Sequence, residues 1–303
     1  MKRLTHLLLI AVMILTIVPI AASDAAAEKV FVKAGQVAEL TAAKAPTLRI
    51  IDCRAAEDSY KKGHVPGAIY FNVDENLRVT GAWDTVGVRR QLEAQEELFG
   101  RQLGIGSDTM VVLYDDIEDN ATRLFWELKY TGHEKVAIMF GGWPEWQAKK
   151  LPVEKNINQV APALFVADVQ PQLLATSSYI MSKMGDPNVV LLDARPPAQF
   201  KGDEKHAAAK IGGRLPSAVN AFTLVNWEHK TYLKDPAELE EMYADLAVTP
   251  DKEIIIYCNT GWYAANSYFI LKALNFPNVR VYDYSWVEWN GKGHLPKIVG
   301  KAK

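Results

Sequence analysis

The feature that most constrains this chain is that its sequence passes through the same landmarks twice. Leu48 to Arg54 reads LRIIDCR and Val189 to Arg195 reads VVLLDAR. Each is an apolar run closing on Asp-x-Arg, the pattern of a buried strand whose polar end leaves a sheet edge. Gly63-His64-Val65-Pro66-Gly67-Ala68 is then answered by Gly213-Arg214-Leu215-Pro216-Ser217-Ala218, and Met110 to Tyr114 (MVVLY) by Glu253 to Tyr257 (EIIIY). From here the register can be counted. Trp143 lies 28 positions after Asp115, Trp286 lies 28 after Cys258, and Trp146 and Trp289 keep the step. Between these landmarks, Leu124, Phe125 and Leu128 in one half and Tyr268, Leu271 and Leu274 in the other fall at helical spacing. Strands alternating with helices predict an α/β fold, two tandem domains each built on a mainly parallel sheet flanked by helices. The repeat is a duplication of about 130 residues, too long for a solenoid period. Pro152, Pro162 and Pro171 punctuate an irregular stretch between the halves, and the join is placed at residue 158. The expected layout is a leader over 1–27, a first domain over 28–157 and a second over 158–303.

The leader rests on Lys2 and Arg3, an apolar run from Leu7 to Ile20, and small residues at Ala21, Ala22, Ser23, Ala25 and Ala27. This is the three-part pattern of a secretory signal, with cleavage after Ser23, Ala25 or Ala27. The run is shorter than the roughly 20 residues a membrane span needs, an uncleaved anchor being the alternative. An exported, periplasmic setting without membrane attachment after cleavage is therefore the expectation. A formal net charge of −2 over 303 residues gives no reason to bind nucleic acid or an anionic membrane. Cys53 and Cys258 are the only cysteines, too few for a disulfide scaffold.

The halves part company after the second matched strand. One continues Asp115-Asp116-Ile117-Glu118-Asp119-Asn120, the other Cys258-Asn259-Thr260-Gly261-Trp262-Tyr263, and both lead into a helix. A thiol at the carboxyl end of a parallel strand and before a helix N-terminus sits where open α/β sheets bind ligands. Successive N–H groups and the helix dipole there favour thiolate over thiol, and would hold the terminal anion of a persulfide. The acidic loop is expected to repel an anion, so only the second half is equipped for sulfur chemistry. Cys53 matches Ala194 in the repeat and reads as a small core residue. The paired tryptophans read as core anchors, while Trp262 and Tyr263 either line the mouth of the site or pack on the other domain.

These motifs, in this order and twice over, make the chain similar to the tandem rhodanese family, which includes thiosulfate and 3-mercaptopyruvate sulfurtransferases. The resemblance spans residues 30 to 298 and rests on IIDCR with GHVPGA in one half and LLDAR with CNTGWY in the other. It implies an inactive first domain and a catalytic second one. It also implies a ping-pong reaction in which Cys258 takes sulfane sulfur from a small anionic donor and passes it to cyanide or a thiol, a protein acceptor included. Asn259, Thr260, Gly261, Trp262 and Tyr263 would then contact the donor, with Arg195 and Arg214 as cations. Asp193 would support Arg195, unless the two form only a buried structural pair. Where the family tends to carry an Arg, six positions after the Asp of the DAR motif, this chain has Gln199.

Rival chemistries fit less well. A cysteine phosphatase needs an Arg six positions after its nucleophile to clamp phosphoryl oxygens, and that position is Ala264. No Cys-x-x-Cys supports a thiol oxidoreductase. The six histidines do not cluster at metal-ligand spacing, with His64 read as a turn residue, and no glycine loop follows a strand to hold a nucleotide, so neither metal nor cofactor is expected. The remaining alternative is a non-enzymatic exported sulfur carrier or binding protein on the same fold.

Overall fold

The computed structural model describes residues 30–77, 92–117 and 119–300; the leader read over 1–27 and Glu118 lie outside them. The first half forms β1 (Phe31–Lys33), β2 (Leu48–Asp52), β3 (Ile69–Tyr70), β4 (Met110–Tyr114) and β5 (Val136–Phe140). These make one sheet in the order β1-β5-β4-β2-β3, every pairing parallel. The second half supplies β6 (Val189–Asp193) and β7 (Val219–Asn220), a short antiparallel hairpin of β8 (Trp227–Glu228) and β9 (Tyr232–Leu233), then β10 (Glu253–Tyr257) and β11 (Val279–Val281). Its sheet runs β11-β10-β6-β7, again wholly parallel. Where the first sheet has β1, the second has a single bridge from Leu174 to Val281.

The register explains the repeated motifs. Asp52 pairs with Tyr114 across β2 and β4, and Asp193 pairs with Tyr257 across β6 and β10. Both aspartates thus emerge beside the carboxyl end of the neighbouring strand, where each half places its variable loop. The loops lead into the helices Asp119–Tyr130 and Trp262–Ala273. Most residues of both helices are buried, because they pack on their own sheets and on each other. Phe269 shows the consequence. Its ring meets Phe31 at 4.9 Å and Phe125 at 5.0 Å, both from the first half, and Trp227 at 6.3 Å from its own. One continuous apolar cluster therefore spans both halves. The hairpin adds a polar tie, with the Tyr232 hydroxyl donating to Glu145 at 2.6 Å. The irregular stretch between the halves lies on the first: Ala163 N–H reaches Gly100 O, and Asp168 N–H reaches Thr131 O. Among the described residues no helix is long and apolar enough to cross a membrane.

Candidate active site

Cys258 follows β10, flanked in the sheet by β6 and β11, and is only 2% exposed. Its loop turns back over its own sulfur. Gly261, at φ +91°, directs its N–H to Cys258 Sγ at 3.1 Å, and the N–H groups of Thr260 and Ala264 also face the sulfur. A Cβ on Gly261 would lie 2.3 Å from Asp283 Oδ1, so both conformation and space require glycine. The other side of the cradle is Ser285. Its Oγ accepts the Cys258 N–H at 3.0 Å, donates to Tyr282 O at 2.7 Å and lies 3.9 Å from Sγ. Trp286 N–H to Cys258 O (3.0 Å) and Val287 N–H to Asn259 O (3.2 Å) tie the loop to the next helix.

The electrostatic outcome differs from the expectation of a thiolate-favouring loop. Burial pushes the Cys258 thiol up, and the N–H groups of Ala264, Thr260 and Gly261 with the Ser285 hydroxyl only partly oppose it. Desolvation wins because the sulfur is enclosed in the free protein. The loop of the first half holds an acidic group of its own: the Asp115 carboxyl accepts from Asp116 N–H at 2.8 Å, Asn120 N–H at 3.0 Å and Ala121 N–H at 3.3 Å. Burial pushes that carboxyl well up despite those donors. Backbone N–H groups after the central strand thus face a side-chain carboxyl in one half and a sulfur in the other.

Asp193 and Arg195 form a buried fork, Nε to Oδ1 at 2.9 Å and Nη2 to Oδ2 at 2.6 Å, with Nη2 also donating to Gly213 O at 2.7 Å. Arg54 does the same with Asp52 and Gly63 O in the half without the thiol. A pair that recurs identically there pins the Gly-x-x-Pro turn to the sheet, which is a structural task. Arg195 nonetheless lies within electrostatic reach of Cys258. Arg214 sits over the Phe200 ring at 4.6 Å, and no hydrogen bond or ion pair links its guanidinium to the Cys258 loop among the described residues.

Asn259 gives its Nδ2 to Gln199 Oε1 at 2.8 Å and keeps a buried Oδ1 without a partner among the described residues. Trp262 turns toward the other half, donating to Asn120 Oδ1 at 3.3 Å and stacking on Arg123 at 5.0 Å. Tyr263 remains half-buried at the site, edge-on to Phe222 at 5.9 Å, its phenol pushed up by burial and by the nearby Asp119 and Cys258. Thr260 brings its backbone N–H to the sulfur. Cys53 is a fully buried free thiol whose sulfur lies 3.8 Å from Ile51 O. Trp286 and Trp289 are buried and anchor backbone through their indoles, on Ile211 O and Pro296 O.

Sequence reasoning missed Ser285, Arg123 and Asp283. Ser285 had a signal in the repeat: it aligns with Gly142, and both are left-handed, at φ +53° and +52°. A serine at a position where the other copy needs glycine marks a side chain kept for its hydroxyl. The ion pair of Arg123 with Asp283 spans the two halves and left no local trace.

Fold and site together define an α/β protein with one donor-cradled cysteine at the end of a central strand in the second of two repeats. The Rhodanese-like domain model matches twice, over residues 33–149 and 176–292, and the chain belongs to the rhodanese family. Among curated relatives, it is 31% identical over 253 residues to a thiosulfate sulfurtransferase of Azotobacter vinelandii, covering 83% of this chain and 91% of that one. It is 30% identical over 269 residues to the 3-mercaptopyruvate sulfurtransferase of Escherichia coli K12, covering 83% and 92%. A sulfur carrier protein, TtuD of Thermus thermophilus, is 29% identical over 271 residues, covering 84% and 92%. A solved ergothioneine biosynthesis enzyme from Chlorobium limicola superposes with a TM-score of 0.82 at 22% identity, covering 91% of this chain and 71% of that one, a likeness of fold.

Proposed function

We propose that this protein is a sulfurtransferase that carries sulfane sulfur on Cys258, taking it from thiosulfate or 3-mercaptopyruvate and giving it to cyanide or a thiol. The observation that carries the reading is the cradle around Cys258 Sγ, led by the Gly261 N–H at 3.1 Å, where the other half encloses a carboxyl. In the first step the Cys258 thiolate attacks the outer sulfur of the donor. A sulfur–sulfur bond forms on the enzyme, the donor's bond to that sulfur breaks, and sulfite or the pyruvate enolate leaves with the electron pair. In the second step the acceptor attacks the outer sulfur, forming thiocyanate or a new persulfide, and the Cys258 thiolate departs. The terminal anion of the enzyme persulfide needs the donors that the loop supplies. Asn259, Thr260 and Tyr263 are assigned to the donor side, with Arg195 as a nearby fixed charge. The leader over 1–27 adds export to the periplasm, and the domain limits at 157 and 158 follow the repeat.

Turnover with cyanide tests the reading. Wild-type and Cys53→Ser proteins form thiocyanate from one of the two donors, and Cys258→Ser forms none. Equal loss in both cysteine variants contradicts it. A second reading, a carrier loaded by a protein partner, is favoured by Gln199 and Asn259 occupying each other at 2.8 Å where the family tends to place an Arg. That reading predicts a persulfide on Cys258 without turnover of either small donor.

A further inference from the structure

Helix Asp119–Tyr130 belongs to the half without the thiol, yet it carries Arg123 to the edge of the cysteine loop. Arg123 is 2% exposed and clamped between carboxylates of both halves, with Nη1 on Asp283 Oδ1 at 2.5 Å and Nη2 on Glu127. Trp126 and Trp262 cover its guanidinium at 5.0 Å each. Asp283 and Arg123 together form the wall against which Gly261 packs: a Cβ there would lie 2.3 Å from Asp283 Oδ1 and 2.9 Å from Arg123 Nη1. Gly261 is the residue whose N–H reaches Cys258 Sγ. Asp283 is thus a buried carboxylate beside a loop meant to hold an anion, and only a countercharge makes that tolerable.

We propose that Arg123 is that countercharge, a positioning residue lent by the first half that neutralises Asp283 and keeps Gly261 directed at the sulfur. The proposal rests on the sulfurtransferase reading for its purpose but not for its test. The fork of Arg123 satisfies carboxylates on two domains at once, a geometry a point charge on lysine cannot reproduce. Burial alone would weaken the guanidinium's hold on its proton, and Asp283 and Glu127 overrule it, so the countercharge is permanent. The charged and titratable groups around Cys258 are Arg123, Arg195, Asp283 behind Gly261, Tyr263 and, facing Tyr263, Asp119.

The test is the pH midpoint of Cys258 alkylation by iodoacetamide in the full chain carrying Cys53→Ser, read by mass, with melting followed in parallel. Arg123→Met leaves Asp283 beside the thiolate without its guanidinium countercharge, and the midpoint is expected to rise by about one pH unit, tenfold in thiolate at neutral pH. The double variant Arg123→Met/Asp283→Asn removes both charges and is expected to recover most of that shift. A folded Arg123→Met protein with the wild-type midpoint overturns the proposal, as does a double variant no better than the single. Should the single variant not fold, the double is compared with wild type directly: a midpoint within a few tenths supports the countercharge, and a rise of a full unit contradicts it. Alkylation needs no sulfur donor, so a protein that fails to turn over but shows these shifts refutes the functional reading and not this one.

Discussion

At Ser285 the backbone stands at φ +53°, a conformation the first repeat gives to Gly142. Holding a serine there costs about 1–2 kcal/mol, and its hydroxyl returns two hydrogen bonds of about 1 kcal/mol each. Ser285→Gly is therefore expected to leave stability within about 1 kcal/mol while removing a group that opposes the rise of the Cys258 thiol. An alkylation midpoint that moves up, with melting nearly unchanged, is the predicted outcome. Asp119 works in the other direction. Its Oδ1 is buried without a partner among the described residues, and burial raises the carboxyl from 3.8 to about 6. A carboxyl that binds its proton more tightly when folded favours the fold at low pH, and the benefit is lost as pH rises through about 6. Asp119→Asn should thus stabilise the protein by about 1–3 kcal/mol at pH 7 and by nothing near pH 3, as seen by denaturant melts at both values.

At the scale of elements, the strands and helices that repeat were legible because each is a long apolar run read twice. β4 and β10 fall on the motifs MVVLY and EIIIY, and the tryptophans 28 positions on, Trp143 and Trp286, both lie in the first turns of matching helices. What stayed hidden was short or non-local. β1 has three residues and is defined by pairing with β5 over a hundred positions away, and the β8–β9 hairpin has two residues a side. The inward turn of Asp115 was hidden for a related reason: composition shows only an acidic loop, and the fold alone brings its carboxyl to the Asn120 and Ala121 N–H groups to cap the helix. Asp115→Ala removes that cap and is expected to destabilise by about 0.5–2 kcal/mol while leaving sulfur transfer intact below the melting temperature. Loss of transfer in a folded Asp115→Ala protein would mean the first loop has a role beyond capping.

The whole molecule joins its halves through core rather than through a linker alone. Phe31, Phe125 and Phe269 interlock across the interface, and Arg123 with Asp283 crosses it too. The two domains are accordingly expected to unfold together, giving one calorimetric transition whose van't Hoff and calorimetric enthalpies agree. Two separated transitions would show that the shared cluster does not couple them. The site's position was readable at this scale from the repeat, since divergence within a duplication marks where one copy has a task the other lacks. Its electrostatics were not, because Arg123, Asp283 and Ser285 meet Cys258 only through the fold.

The central claim, that Cys258 takes up sulfur from a small donor, is tested most directly by the intact mass of the purified protein before and after thiosulfate or 3-mercaptopyruvate. The account predicts a gain of one sulfur atom that cyanide reverses, kept in Cys53→Ser and absent in Cys258→Ser. No gain with either donor, or a gain that survives in Cys258→Ser, would contradict it.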